Sequence, residues 1–231
     1  MAVTCCILLT LVVSVAGLPA SKEGYGPAPL TAPDVEPIND CPEYGVFAYP
    51  HLQACDKYYK CENGTFTWET CPNGLVFSEN GGVYDFCTYP WNVNCGDKER
   101  ADPIPSENCP WQWGVFPMTS GCNTQYYKCA WGEANITDCK VGLAYDDRIH
   151  VCNWPDLLED CDSEKIVGFT CPTKVSGKSA TYFPFPRYPA PNDCTRLIVC
   201  VNNRPRLISC GNGSAFSLES YACSDIRDVP D

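Results

Sequence analysis

Positive charge is scarce in this chain: 16 Lys and Arg stand against 28 Asp and Glu, a net charge of −12, and only two His occur in 231 residues. So strong an acidic balance works against broad contact with a phosphate backbone, and nucleic acid is not an expected partner. There is no Cys-x2-Cys pair, which together with the two His removes the common zinc frameworks, so neither a metal nor a cofactor is expected. Glycoside hydrolysis needs two carboxylates held about 5 to 9.5 Å apart in a cleft. Here the acidic residues are scattered through linkers and loops, and no Asp/Glu cluster recurs along the chain. His51 and His150 are isolated, have no nucleophile motif beside them, and read as surface residues rather than bases. No residue is assigned a catalytic role, and no enzyme is expected.

Long apolar runs are also missing, with one exception at the start. Cys5 to Val15 is apolar apart from Thr10 and Ser14 and is followed by the small pair Ala16-Gly17. It stops at Pro19, short of the roughly 20 residues a membrane span needs, so residues 1–17 read as a secretory signal peptide. No later segment could span a bilayer. The mature protein is therefore expected outside the cell, where thiols oxidise. Residues 18–40, rich in Pro and Ala, read as a disordered arm.

What the chain has in abundance is cysteine, 19 in all and 17 after the leader. Cys41, Cys55, Cys61, Cys71, Cys87 and Cys95 are separated by 13, 5, 9, 15 and 7 residues, and Cys109, Cys122, Cys129, Cys139, Cys152 and Cys161 by 12, 6, 9, 12 and 8. Cys171, Cys194, Cys200, Cys210 and Cys223 follow with gaps of 22, 5, 9 and 12, and then no sixth member. Local text repeats as well: Tyr58-Tyr59-Lys60-Cys61 matches Tyr126-Tyr127-Lys128-Cys129, and Gly74-Leu-Val-Phe77 matches Gly142-Leu-Ala-Tyr145 and Gly213-Ser-Ala-Phe216. The units are therefore module one (41–95), module two (109–161) and module three (171–231, lacking its last Cys), joined by linkers 96–108 and 162–170. At about 55 residues a hydrophobic core is marginal, and crosslinks worth typically 2 to 4 kcal/mol each supply what burial cannot. Segments between the Cys are β-branched and aromatic, broken by Gly and Asn, and Asn63-Gly64 is a strong hairpin signal. The expected fold is small, disulfide-rich and mostly β, built of short antiparallel strands and hairpins.

Six Cys with a long first gap, an aromatic pair before the third Cys, Gly-Leu-x-aromatic after the fourth and an aromatic-Pro pair after the fifth (Tyr89-Pro90, Trp154-Pro155) resemble the type 2 chitin-binding, or peritrophin A, domain. Three such domains behind a signal peptide resemble the insect cuticular proteins analogous to peritrophins, the obstructor family. The resemblance implies a secreted, non-enzymatic protein that crosslinks or organises chitin in cuticle or a similar extracellular matrix, with other cuticle matrix proteins as partners and no membrane. It also implies the pairing Cys41–Cys61, Cys55–Cys95, Cys71–Cys87, Cys109–Cys129, Cys122–Cys161, Cys139–Cys152, Cys171–Cys200 and Cys210–Cys223, leaving Cys194 unpaired in this chain. Eight residues follow Cys223, matching the final gap of the other modules, so the chain is expected to be a fragment whose next residue is the missing Cys. A secreted disulfide-rich protease inhibitor or defence protein is the alternative from another class.

A neutral N-acetylglucosamine chain presents flat C–H faces, for which aromatic plates are the natural receptor. Comparison of the modules sorts the aromatics. Trp68, Ile136 and Leu207 fill one slot that is apolar in every copy, so Trp68 reads as core. Phe77, Tyr145 and Phe216 also read as packing. Of the pairs Tyr58/Tyr59 and Tyr126/Tyr127, strand alternation sends one member outward without saying which; Tyr59 and Tyr127 stand as the ligand candidates. Tyr89 and Trp154 share a slot with Asp225, which marks a surface position, and Trp131 shares one with the turn residues Asn63 and Asn202; these three and Trp91 complete the set of candidate sugar plates. Asn63, Asn135 and Asn212 begin Asn-x-Ser/Thr sequons and are candidate glycosylation sites.

Overall fold

The computed structural model describes residues 30–31 and 41–229. The signal peptide expected at 1–17 lies outside the described residues, as does nearly all of the 18–40 arm. Within that arm Leu30–Thr31 forms a short strand parallel to Val93–Asn94.

Each module builds the same two pieces. A three-stranded antiparallel sheet comes first: Val46–Pro50, Lys57–Glu62 and Thr65–Thr70 in module one; Gly114–Pro117, Gln125–Ala130 and Glu133–Asp138 in module two; Arg187–Pro189, Arg196–Val201 and Arg204–Ser209 in module three. The middle strand in sequence is central in each sheet, and a two-residue turn joins it to the third strand. These turns place both residues in the left-handed region, Asn63-Gly64 at φ 47° and 79°, Trp131-Gly132 at 53° and 77°, Asn202-Asn203 at 50° and 61°, the geometry that matches the twist of the flanking strands. A two-stranded hairpin follows, Val76–Phe77 with Cys87–Thr88, Ala144–Asp146 with Val151–Asn153, and Ser214–Ser217 with Ala222–Asp225. Its aromatic, Phe77, Tyr145 or Phe216, is buried in every copy. A short 3-10 turn closes each module: Pro90–Asn92, Pro155–Leu157 and Ile226–Asp228.

The described disulfides join Cys41 to Cys61, Cys55 to Cys95, Cys71 to Cys87, Cys109 to Cys129, Cys122 to Cys161, Cys139 to Cys152, Cys171 to Cys200 and Cys210 to Cys223. Cys194 is disulfide-bonded too, which corrects the expectation of an unpaired thiol there.

The described residues gather into two compact units, one of residues 30–31, 41–118 and 126–137, the other of residues 119–125 and 138–229. The division passes through module two, whose sheet belongs to the first unit and whose hairpin belongs to the second. In the first unit Tyr58, Cys71, Leu75, Phe77 and Cys87 form the core, with Ala48, Phe86, Tyr89 and Trp113 packed on it. The Tyr58 hydroxyl donates to Asp85 at 2.9 Å, and burial together with that carboxylate pushes its pKa far above the ordinary tyrosine value. Residues expected as a plain linker are held: Asn73 donates to the Asp102 carbonyl at 2.7 Å and accepts from the Ile104 N–H at 3.0 Å.

In the second unit Arg204 donates to the carbonyls of Pro155, Asp156, Leu158 and Cys161. Arg206 forms a bidentate pair with the buried carboxylate of Asp156. The 162–170 linker folds into a helix, Ser163–Val167, capped by Asp162 and ended by Gly168 at φ 71°, and it packs against the strand Arg204–Ser209. Gly142, at φ +87°, allows that strand close approach, since a Cβ there would lie 2.8 Å from the Cβ of Leu207.

Candidate functional site

Strand alternation in the first sheet separates two faces with different fates. Tyr58 is 4% exposed and points into the core with Ala48. The opposite face carries Tyr59, paired across the ladder with Tyr49 on one side and Trp68 on the other, and one step along it Phe47 and Phe66 flank Cys61. Trp68 is 53% exposed, which overturns its reading as core, and Phe66 and Phe47 are exposed beside it. A slot that stays apolar in three copies proves to face outward in module one. Ile136 in the same slot is 58% exposed, and only Leu207 is partly covered.

The rings of this face touch one another. Tyr59 stacks on Phe66, centroids 5.3 Å apart and planes 21° apart, and meets Trp68 edge-on at 5.0 Å. His51, expected to be isolated, lies in this group, 4.7 Å from Trp68 and 5.8 Å from Tyr59. Its Nδ1 accepts the backbone N–H groups of Gln53 and Ala54 at 3.2 and 2.8 Å. Burial lowers its pKa below the ordinary histidine value, Lys57 and Lys98 lower it further, and Asp56 opposes them, so the imidazole is neutral at physiological pH. The result is an uncharged, mostly apolar shelf several rings wide with one polar edge.

The other modules differ. In module two Tyr127 pairs across the ladder with Phe116, both half-buried, giving a smaller version of the face with Ile136. In module three the corresponding face is closed. Ile198, in the place of Tyr59, is 0% exposed, Pro205, in the place of Phe66, is buried, and Leu207 lies against Gly142.

The remaining candidates occupy other settings. Trp131 is largely exposed, yet its ring meets Trp113 and Tyr84 edge-on, each at 5.4 Å. Tyr89 and Trp91 stack on each other at 4.6 Å, and Tyr89 is half-buried against the module-one core, where burial and Tyr126 raise its hydroxyl pKa. Trp154 is covered by the Arg206 guanidinium at 4.2 Å. Tyr89 and Trp154 are the residues that open the 3-10 turns Pro90–Asn92 and Pro155–Leu157. In module three Asp225 does the same job with its carboxylate, which accepts the Arg227 N–H at 3.0 Å. Pro90 and Pro155 preset the backbone of the first turn residue in modules one and two, where the opening side chain makes no cap bond; in module three Ile226 follows and a capping carboxylate is used. This turn chemistry accounts for the Asp that had marked the slot as a surface position. Asn63, Asn135 and Asn212 are all exposed, and the Asn63 Oδ1 accepts the Gly45 N–H at 3.1 Å, which leaves its amide nitrogen outside that bond. Among the described residues no group of three or more His, Cys, Asp or Glu could hold a metal, and no helix is long and apolar enough to cross a membrane.

Comparison with known proteins agrees with this architecture. The model of the chitin binding Peritrophin-A domain matches residues 41–95, 109–161 and 182–231. Protein obstructor-E of Drosophila melanogaster is 35% identical over 187 residues, covering 77% of this chain and 75% of that protein. Peritrophin-1 of Anopheles gambiae is 27% identical over 141 residues, 57% of this chain and 90% of that one. With three domain matches in succession and this similarity to an obstructor across most of its length, the chain belongs to the chitin-binding peritrophin-A domain family.

Proposed function

We propose that this protein is a secreted, non-enzymatic component of a chitin-containing extracellular matrix, and that it holds chitin on the open face of the module-one sheet. The observation that carries the reading is the contiguous group of Tyr59, Phe66 and Trp68, with Phe66 and Trp68 exposed and the half-buried Tyr59 in ring contact with both. Rings of this size stack on the C–H faces of N-acetylglucosamine, and their rims leave room for hydrogen bonds from the sugar's amides and hydroxyls. Tyr127 with Phe116 offers a second, weaker contact in module two, and two contacts on one fibril make the second effectively intramolecular. Trp131, Tyr89, Trp91 and Trp154 act chiefly as packing between segments of their own units. Crosslinking or ordering of the polymer follows from this valency. Asn63, Asn135 and Asn212 are proposed to carry glycans, each on an exposed turn or strand.

The test is co-sedimentation of the oxidised protein with insoluble chitin. Trp68→Ala is expected to reduce retention about tenfold, a loss of about 1.4 kcal/mol, whereas Trp154→Ala leaves it within a factor of two. Equal losses from the two substitutions would move the site off the module-one sheet.

A further inference from the structure

The shelf has one side chain that is not simply a plate. The Nδ1 of His51 is committed as an acceptor to two backbone N–H groups, which fixes the neutral ring as the tautomer that carries its proton on Nε2. Nε2 lies across the ring from Nδ1, and none of the described hydrogen bonds uses it. The ring itself sits against Trp68 and Tyr59. A directional N–H donor is thus pinned beside the rings on which the sugar would lie. The charged groups that face it are Lys57, Lys98 and Asp56, two cations and one anion. Lys98 also donates to the His51 carbonyl at 3.1 Å, and Asp56 is buried with its carboxylate accepting the Ala101 N–H at 2.9 Å.

We infer that His51 is a specificity-determining residue of the module-one face: its Nε2–H donates to an acceptor oxygen of the N-acetylated sugar, while Lys57 and Lys98 beside it disfavour a sugar bearing a free, cationic amine. This rests on the shelf being the chitin site, and it goes further by choosing between chitin and its deacetylated form. An acetamide offers a carbonyl oxygen to the donor. A protonated amine offers only more donors, next to two cations, and a site built around a directional bond discriminates sharply against a group that cannot complete it.

Protonation of His51 removes the lone pair that holds the Gln53 and Ala54 N–H groups, so the neutral ring is the competent form. Because its pKa is lowered, binding stays level through neutral pH and falls only in acid, below the ordinary histidine range.

The test uses the full oxidised chain and soluble N-acetylchitotetraose, which removes fibril avidity. His51→Phe keeps an aromatic ring but deletes the Nε2 donor together with the Nδ1 acceptor of the Gln53 and Ala54 N–H groups; it is expected to weaken binding about tenfold and to abolish the acid limb of the pH profile. In the native protein the His51 Nε2 signal in side-chain nitrogen NMR is expected to shift on addition of the sugar, a readout that does not depend on any variant folding. At about pH 6, where the free amine is charged, the fully deacetylated tetraose is expected to bind at least tenfold more weakly than the acetylated one, and Lys57→Gln to narrow that ratio. If Trp68→Ala weakens binding while His51→Phe does not and the Nε2 signal stays still, the shelf stands and the role of His51 falls. If neither substitution matters, both fall together.

Discussion

Trp68 and Leu207 occupy one sequence slot and meet opposite environments, because what decides burial is whether another segment crosses the sheet face. In module three the backbone at Gly142 lies against Leu207, whereas Arg204, which gathers four carbonyls from residues 155–161, and Arg206, which takes Asp156, alternate to the other face of the strand. Arg206→Ala strands the Asp156 carboxylate, whose side chain is 3% exposed, and is expected to cost about 3 to 5 kcal/mol. Hydrogen exchange should show the loss as faster opening confined to the second unit, and retention on chitin should survive it. Asp146 makes a pH prediction. Burial alone would raise its pKa, but hydrogen bonds from Arg148 and Asn153 outweigh that and hold it below the ordinary carboxylate value. A pKa lower in the folded than in the unfolded state means that this stabilisation is complete above the ordinary carboxylate range and is lost as pH falls through the folded value. Asp146→Asn should therefore flatten the acid side of the stability profile of the second unit, as followed by near-ultraviolet circular dichroism.

At the scale of elements, the repeat is truer in backbone than in side chain. The residue two before the fifth Cys is left-handed in all three copies, Asp85 at φ 46°, His150 at 54° and Tyr221 at 54°, although the three side chains share nothing. The hairpin at Asn63-Gly64 was legible because those residues favour left-handed backbone; the one at Trp131-Gly132 was legible only from its place in the repeat beside Asn63 and Asn202, since a Trp there is strained by about 1 to 2 kcal/mol. Its edge contacts with Trp113 and Tyr84 offset the strain. Trp131→Asn removes strain and contacts together, so the stability of the first unit should change by less than about 1 kcal/mol, with a clear change in Trp113 fluorescence. A fall in chitin retention as large as that from Trp68→Ala would instead make Trp131 a sugar plate.

For the whole molecule, the rings of the shelf and the N-acetylated polymer are both neutral, so stacking rather than charge attraction should govern retention. Half-molar salt, roughly, is expected to leave binding to chitin unchanged, since screening acts on charges and not on ring contacts; elution by salt would replace stacking with attraction to a cationic polymer. Reduction should abolish binding, because removing a native disulfide from a domain this small typically costs about 2 to 5 kcal/mol, more than a marginal core can lose.

The sequence by itself determined the three modules and their mostly β class, because crosslink spacing, turn residues and the paired Tyr before the third Cys are local signals carried in order along the chain. It also ranked Phe77, Tyr145 and Phe216 as packing, since a slot that stays aromatic inside a short hairpin has only the core to fill. Three things were decided only by tertiary structure: that Tyr59 rather than Tyr58 faces outward, that Trp68 is open while Ile198 is sealed, and that His51 stands among the rings of module one. Alternation fixes that neighbours point to opposite faces but not which face is covered. That depends on segments distant in sequence, such as the backbone at Gly142 that lies against Leu207 in module three.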